Sequence, residues 1–232
     1  MRVDVIIPAL NEASSIHAVV QSLPRPLVRT VFVVDNGSTD ATAERAREAG
    51  AQVVIERRRG YGSACLAGIR SLPYDTDVVV FLDADGSDDP SFLSLLLEPI
   101  ATNRADLVVG SRALGNAEPG ALTLQQRVGN AVAAAWLRVR FALPATDLGP
   151  FRAIRRTSLE ELAMTDRDYG WTVEMQLKAA RKGLRYAEVP VPYRRRRAGT
   201  SKVAGTVRGT LGATVKILGL LAWHDLIRPR SG

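Results

Sequence analysis

Cysteine is almost absent from this sequence of 232 residues, because Cys65 is the only one. A single thiol excludes an intrachain disulfide framework and any zinc site built from clustered cysteines. The N-terminus, MRVDVIIPALNE, also lacks the uninterrupted apolar stretch of a signal peptide, since charged and polar residues break it. We therefore expect a protein that begins and remains in the cytosol.

A run of apolar residues long enough to cross a bilayer is lacking as well. The longest uninterrupted run near the C-terminus, Ile217 to Trp223, is far shorter than the roughly 20 residues of a spanning helix. Aromatic residues do not interleave with the four consecutive arginines at positions 194–197. A nucleic-acid surface would need such rings as stacking platforms, so we expect no nucleic-acid partner.

The formal net charge of +7 belongs to the C-terminal end of the chain. From Pro190 onward there are nine basic residues and one acidic residue, against 22 basic and 23 acidic residues before it. Apolar residues recur there at helical spacing, namely Val207, Leu211, Val215, Leu218 and Ala222. This pattern predicts an amphipathic helical tail over residues 204–232. The tail either lies on an anionic membrane surface at the cytoplasmic face or packs on the domain or on a second copy of the chain.

The rest of the chain alternates short apolar, β-branched runs with segments of helical composition. The predicted strands are Val3 to Ile7, Val31 to Val34, Val53 to Ile55, Val78 to Leu82 and Leu107 to Val109. This alternation predicts one α/β domain over residues 1–203, with a mostly parallel central sheet flanked by helices. Ligands bind such sheets at the carboxyl ends of the strands.

Two carboxylates directly follow the fourth predicted strand. Asp83 and Asp85 stand two residues apart, so the alternation of a strand would direct both into the space past the sheet edge. Hard oxygen ligands at this spacing suit Mg²⁺ or Mn²⁺ bridging a diphosphate. The pair therefore predicts a metal that neutralises charge on a departing nucleotide diphosphate.

Two other loops carry candidate ligand contacts. Asp35 precedes a turn, Asn36 to Asp40, and is suited to accept hydrogen bonds from a base or a ribose. Gly60 and Gly62 follow a basic run, and glycine lets backbone N–H groups approach a ligand closely. A simple turn explains the two glycines equally well.

Together these segments resemble family-2 glycosyltransferases of the GT-A type. The strings VIIPALNE, VVDNGSTD, RRGYGSACLAGI, FLDADGSDDP, DLGPFRA and RRAGTSK occur in the order and rough spacing of that family. They are most similar to the dolichyl-phosphate mannosyl- and glucosyltransferases, from Val3 to about Val207. The resemblance implies a GT-A, Rossmann-like fold, a UDP- or GDP-linked sugar donor and a polyprenyl phosphate acceptor, with a hydroxyl acceptor on a lipid or a small molecule as the alternative.

The resemblance also implies roles for individual residues. Those that would bind the nucleotide-sugar are Pro8, Ala9, Asn11, Glu12, Asp35, Gly60, Gly62 and Asp83. Those that would surround phosphates or the acceptor are Arg112, Arg127, Arg152, Arg196 and Lys202. The metal ligands would be Asp83 and Asp85, with Ser87 where the dolichyl-phosphate enzymes carry glutamine. We assign catalytic roles to Asp85, Arg112 and Glu174, the last matching an acidic residue near the acceptor.

The implied mechanism is a single displacement with inversion at the anomeric carbon. An acceptor phosphate oxygen is already ionised at neutral pH and needs no general base, so catalysis reduces to positioning and charge stabilisation. A hydroxyl acceptor does need a base, and Glu174 is the candidate.

Two other functions fit part of the sequence. The string VVVFLDADGSDD also matches the opening motif of haloacid-dehalogenase-type phosphatases, in which the first aspartate is the nucleophile. That motif usually stands early and is followed by a Gly-Asp pair, whereas here 82 residues precede it and the chain has no Gly-Asp pair. A catalytically silent nucleotide-sugar binder is the other alternative, although the intact Asp83 and Asp85 disfavour it.

The tail generates a prediction of its own. A chain that ends at Gly205 should bind anionic liposomes more weakly than the full chain, because it loses the apolar stripe and four of the nine basic residues after Pro190. Flotation of both forms with the same vesicles measures the difference. Equal binding by the two forms would contradict a membrane role for the tail.

Overall fold

Seven strands form one sheet within residues 1–196, the part of the chain that the computed structural model describes. In chain order they are β1 (Val3–Ala9), β2 (Thr30–Asp35), β3 (Gln52–Ile55), β4 (Val78–Phe81), β5 (Leu107–Ser111), β6 (Arg152–Arg155) and β7 (Tyr186–Pro190). Their order across the sheet is β3-β2-β1-β4-β6-β5-β7. Every neighbouring pair is parallel except those that β6 forms with β4 and β5. The predicted α/β class with a mostly parallel sheet is therefore confirmed.

Seven α-helices accompany the sheet in residues 1–196. They are α1 (Ile16–Ser22), α2 (Thr42–Glu48), α3 (Tyr61–Ser71), α4 (Leu93–Ala101), α5 (Leu124–Phe141), α6 (Arg156–Leu162) and α7 (Trp171–Arg181). Side chains of α1, α2 and α4 share one apolar cluster with the sheet, and side chains of α3, α6 and α7 share another. α5 instead buries Ala133 and Leu137 against Val173 and Leu177 of α7, in a third cluster.

The five predicted strands agree with β1 to β5, whereas β6 and β7 were missed. β6 reads Arg-Ala-Ile-Arg and β7 reads Tyr-Ala-Glu-Val-Pro, so neither carries an apolar run. β6 is nevertheless a central strand whose first three residues are buried, because it lies between β4 and β5. Burial by neighbouring strands therefore overrides local composition at β6.

The parallel strands bring their carboxyl ends to one edge of the sheet. Ala9, the last residue of β1, pairs in register with Asp35, the last residue of β2. β6 runs the opposite way, so its first residue, Arg152, lies beside Phe81 at the end of β4. The loops that follow β1, β2 and β4 therefore meet the segment that precedes β6 at this edge.

A search of the helices within residues 1–196 finds none that combines the length and the apolar character needed to cross a membrane. Lys202, the predicted tail over residues 204–232 and the boundary at 203 lie outside the described residues.

Candidate active site

A cavity of about 430 Å³ opens at the carboxyl edge of the sheet. Its lining comes from the loops after β1, β2 and β4, the start of α3, the loop of residues 163–170 and the segment after β7. The lining residues are Pro8, Ala9, Leu10, Glu12, Asn36, Arg59, Gly60, Tyr61, Ala64, Asp83, Ala84, Asp85, Asp168, Tyr169 and Arg196. The structure thus brings together seven of the predicted site residues, namely Pro8, Ala9, Glu12, Gly60, Asp83, Asp85 and Arg196.

Three carboxyl groups gather in the loop after β4. Asp83 accepts a hydrogen bond from the Tyr61 hydroxyl at 3.0 Å, and Asp85 accepts one from the Ser87 N–H at 2.8 Å. Burial, and after it the charge of Asp85, raises the pKa of Asp83 to about 7. Both carboxyl oxygens of Asp88 are buried without a hydrogen-bond partner, and burial raises the pKa of Asp88 well above its usual range. The loop therefore holds more acidic groups than the protein's own donors satisfy.

This unsatisfied acidity fits a divalent cation. Within residues 1–196, no group of three or more His, Cys, Asp or Glu side chains makes up a metal site by itself. Asp83 and Asp85 would therefore supply two oxygen ligands and leave the other coordination positions to a diphosphate and water. Ser87, the third predicted ligand, is buried and does not line the cavity. Its backbone N–H holds the carboxylate of Asp85 instead.

Arg196 bridges two carboxylates of the lining. Its guanidinium lies 2.9 Å from Asp85 Oδ2 and 2.7 Å from Glu12 Oε1. The segment after β7 is thereby fastened to the loops after β1 and β4. A basic side chain already stands where the phosphates of a ligand would need charge compensation.

Arg194 and Arg195, which precede Arg196, also contact acidic side chains. Arg194 forms a salt bridge with Asp89 at 2.6 Å, and the N–H of Arg195 donates to the Glu118 carboxylate at 2.9 Å. The backbone N–H of Arg194 donates to the carbonyl oxygen of Ser87 at 2.8 Å. The first three arginines of this segment therefore pair with acidic residues around the site.

Gly60 and Gly62 make room for another part of the protein. A Cβ atom at Gly60 would lie 2.1 Å from the carbonyl oxygen of Arg167, and one at Gly62 would lie 2.1 Å from that of Asp166. The N–H of Ser63 donates to the Arg167 carbonyl at 2.9 Å, which fixes this approach. The 163–170 loop therefore occupies the space beside these glycines, and the approach of a ligand to their backbone stays a prediction. Gly60 also lines the cavity, whereas Gly62 does not.

Glu174, on α7, holds the same loop from its other end. Its carboxylate accepts hydrogen bonds from the N–H groups of Thr165 at 3.0 Å and Asp166 at 2.8 Å, and pairs with Lys178 at 2.7 Å. Burial alone raises the pKa of Glu174, but the hydrogen bonds from Lys178 and Thr165 outweigh it and keep that pKa below its usual range. Glu174 is 1% exposed and does not line the cavity. Its place in the structure is that of a positioning residue.

The loop held in this way carries Asp168 and Tyr169 into the cavity. Neither was expected from the sequence, because the string TDRDYGW contains no apolar run and no recognisable motif. Tyr61 was also missed, although its position between two site glycines was a usable signal. Its hydroxyl donates to Asp83, and burial and the nearby Asp83 charge raise the pKa of Tyr61 well above its usual range.

Asn11 and Asp35 shape the loops at the sheet edge without lining the cavity. Asn11 has a φ of +52°, and its side-chain oxygen accepts a hydrogen bond from the Thr39 N–H at 2.7 Å. Asp35 accepts one from the Ser38 N–H at 2.8 Å. The first contact ties the loop after β1 to the turn after β2, and the second fixes that turn.

Arg112 is paired within the protein rather than open to the cavity. Its guanidinium donates to both carboxylate oxygens of Asp147, at 2.8 and 2.7 Å. Glu188 of β7 accepts hydrogen bonds from the backbone N–H groups of Thr146 at 2.8 Å and Asp147 at 3.3 Å. Arg112 is therefore held by a connected set of groups just beyond the carboxyl end of β5.

Arg152 is fully buried in β6, and burial lowers the pKa of Arg152. Its guanidinium donates to the carbonyl oxygens of Leu148 at 3.1 Å and Thr172 at 3.0 Å, which joins the segment before β6 to α7. Arg127 is exposed on α5, and neither arginine lines the cavity.

Comparison with known proteins finds relatives along most of the chain. The family described as "Glycosyl transferase family 2" matches residues 4–163. An uncharacterized glycosyltransferase of Mycobacterium tuberculosis is 42% identical over 211 residues, which cover 90% of this chain and 93% of the relative. The undecaprenyl-phosphate mannosyltransferase of Micrococcus luteus is 34% identical over 244 aligned residues, with all of both chains covered.

A solved structure provides a third comparison. It is the glucosyl-3-phosphoglycerate synthase of Mycobacterium tuberculosis in complex with Mn²⁺, UDP and glucosyl-3-phosphoglycerate. Its TM-score is 0.75 at 25% identity, over all of this chain and 82% of the synthase.

The contact between α3 and the 163–170 loop generates a prediction. Gly62→Ala should destabilise the protein by about 1–3 kcal/mol, because the new methyl group overlaps the Asp166 carbonyl and must displace the loop. Nucleotide binding should weaken with it, since the displaced loop carries two lining residues. Denaturant unfolding and calorimetric titration with nucleotide diphosphates measure the two effects.

Gly129→Ala is the matched control. Gly129 also lies inside a helix, but a Cβ atom there would have nothing within 4 Å. Its stability should be unchanged or raised by about 0.5–1 kcal/mol. Equal behaviour of the two variants would contradict the proposed packing of the loop.

Proposed function

The chain belongs to glycosyl transferase family 2, and we propose that it moves a sugar from a UDP- or GDP-linked donor to a polyprenyl phosphate with the help of Mg²⁺ or Mn²⁺. As a member of that family it is a nucleotide-sugar glycosyltransferase of GT-A-like fold. The observation that carries the proposal is that Asp83, Asp85 and the loops after β1 and β2 line the same cavity. The glycosyl transferase family match spans β4 and the two aspartates that follow it. The haloacid-dehalogenase-type phosphatase, which the same string suggested, is therefore discarded.

The donor nucleotide would lie against the loop after β1. Pro8, Ala9 and Glu12 line the cavity there, and Gly60 lines it from the start of α3. We propose that Asn11, Asp35 and Gly62 serve the same ligand indirectly, because their contacts fix the loops that form the lining. The solved synthase complex contains UDP, which supports a nucleotide as a ligand of this fold.

The metal would be held by Asp83 and Asp85, with Ser87 orienting the second carboxylate through its N–H. When bound, Mg²⁺ or Mn²⁺ would supply Lewis-acid stabilisation for the charge on the departing diphosphate. The Mn²⁺ in the related synthase complex supports this choice of cations.

The state of Glu174 favours a phosphate acceptor over a hydroxyl. A hydroxyl acceptor needs a free base in the cavity, but the Glu174 carboxylate lies outside the lining and is saturated by donors from Thr165, Asp166 and Lys178. A phosphate acceptor needs no base, in agreement with this arrangement. The undecaprenyl-phosphate mannosyltransferase among the relatives supports the same acceptor class.

A hydroxyl acceptor is kept as the second candidate because Asp168 lines the cavity. Its carboxylate belongs to the loop that Glu174 positions, and it is the base that such a reaction would use. Replacing Asp168 should therefore slow transfer strongly if the acceptor is a hydroxyl and leave most of the activity if the acceptor is a phosphate.

We propose that the basic residues divide into direct and supporting groups. Arg196 lines the cavity and would contact a phosphate of the donor or acceptor. Arg127, exposed on α5, and Lys202, outside the described residues, are proposed acceptor contacts. Arg112 and Arg152 would support the site through Asp147 and the carbonyl of Leu148, respectively. Since a polyprenyl phosphate resides in a bilayer, the enzyme would work at a membrane surface, on the cytoplasmic face.

Replacing one metal ligand tests the proposal directly. Asp85→Ala should abolish sugar transfer, because one of the two carboxylate ligands is lost, while Asp77→Ala, at the opposite edge of the sheet, should leave transfer unchanged. Nucleotide release from UDP- and GDP-sugars with Mn²⁺ or Mg²⁺ measures the rate, and thermal unfolding verifies the fold. Full activity of Asp85→Ala, or of the wild-type protein in excess EDTA, would refute the metal assignment.

A second experiment separates the acceptor classes. We expect sugar transfer to a polyprenyl phosphate but not to the corresponding polyprenol, with Asp168→Asn retaining most of that activity. A loss of about 100-fold or more in Asp168→Asn would instead identify a general base and a hydroxyl acceptor. Glu174→Gln serves as the positioning control, because its effect should appear in protein stability as well as in rate.

A further inference from the structure

The outward face of α5 is apolar, which is unusual for a surface helix. Leu124, Val128, Val132 and Val139 are 71%, 54%, 49% and 89% exposed. At 3.6 residues per turn, these four side chains and those of Ala131 and Ala135 fall within an arc of about 100°. An ordinary surface helix carries polar and charged residues on this side.

The opposite face of α5 is already buried. Ala133 and Leu137 pack with Val173 and Leu177 of α7. α5 therefore packs on the domain through this opposite face and leaves its apolar face exposed. A contiguous apolar face of this kind marks an interaction surface.

The charge around this face has one sign. Residues 119–146 contain no Asp or Glu, and their three charged residues are Arg127, Arg138 and Arg140. On the helical wheel Arg127 and Arg138 flank one side of the apolar arc, and Arg140 lies beyond its other side. An apolar stripe bordered by arginines is the pattern of a helix that lies in the headgroup region of an anionic bilayer.

α5 is also fixed to the site. Tyr193 forms isolated β-bridges with both Asp88 and Ala117, so the segment that leads into α5 runs beside the loop of acidic residues. Asn130 of α5 accepts a hydrogen bond from the Leu148 N–H at 2.8 Å, in the segment that carries Asp147, the partner of Arg112. A membrane in contact with α5 would therefore lie close to the edge of the sheet where the cavity opens.

We propose that this face of α5 is a membrane-contacting surface that seats the enzyme on an anionic bilayer next to its lipid-linked acceptor. The surface comprises Leu124, Val128, Ala131, Val132, Ala135 and Val139, and it is separate from the tail over residues 204–232. The inference rests on the proposed polyprenyl phosphate acceptor for its purpose, but membrane contact can be measured without any acceptor.

The test uses the full chain with Val128→Glu and Val132→Glu together. Flotation with vesicles of phosphatidylglycerol and phosphatidylcholine should fall by about tenfold or more, because two carboxylates enter the contact face. Ile55→Glu and Tyr74→Glu, at exposed positions of 54% and 97% outside α5, are the matched control and should float like the wild type. Val139→Glu alone, at a position 89% exposed, provides a second variant that the fold tolerates if the double variant unfolds.

Activity measurements distinguish a failure of the membrane-surface proposal from a failure of the acceptor proposal. The α5 variants should keep transfer to a short, water-soluble polyprenyl phosphate within about twofold of wild type and lose transfer to a long-chain acceptor held in vesicles. Flotation equal to wild type would overturn the inference, as would a wild-type protein that does not float. A change in molecular mass by light scattering, with flotation unchanged, would assign the face to a second copy of the chain and equally overturn it. If the wild type floats but uses neither lipid phosphate, the acceptor proposal fails while the membrane surface stands.

Discussion

The cavity depends on the close contact between the 163–170 loop and the start of α3. The carbonyl groups of Asp166 and Arg167 occupy the space that side chains at positions 60 and 62 would fill. Glu174, on α7, accepts hydrogen bonds from backbone N–H groups of the same loop. One side of the loop thus requires the absence of a side chain, and the other requires a buried carboxylate. Without both, the wall formed by Asp168 and Tyr169 has no fixed position.

The electrostatics of the site are organised around an excess of acidic groups. Asp83, Asp85 and Asp88 lie together after β4, where burial favours the neutral forms of Asp83 and Asp88. Arg196 compensates part of this charge through Asp85 and Glu12. A cation at Asp83 and Asp85 would compete with Arg196 for one carboxylate and release a guanidinium for phosphate oxygens. Arg196 would therefore pair with Asp85 in the free protein and with phosphate oxygens when a diphosphate is bound.

The sequence predicts those elements of the fold that a local residue pattern encodes. β1 to β5 carry apolar runs, and the aspartates after β4 stand at a recognisable position. β6 could not be found in this way, since a strand reading Arg-Ala-Ile-Arg is buried only because β4 and β5 enclose it. Asp168 reaches the cavity through contacts with residues about a hundred positions earlier, and no local pattern encodes them. Resemblance placed Glu174 near the acceptor but could not reveal the N–H groups of Thr165 and Asp166 that donate to its carboxylate, and its catalytic role stays a prediction.

The separation of these partners along the chain also orders events during synthesis. Ser63 and the carbonyl of Arg167, which it binds, are 104 residues apart. On the ribosome, β1 to β4 can pair once residues 1–81 have emerged, because these residues supply all four strands. The nascent chain would then possess the sheet and its acidic loop but no closed pocket. Only after α7 has been made can a nucleotide be enclosed, so nucleotide retention would report the completion of folding rather than its beginning.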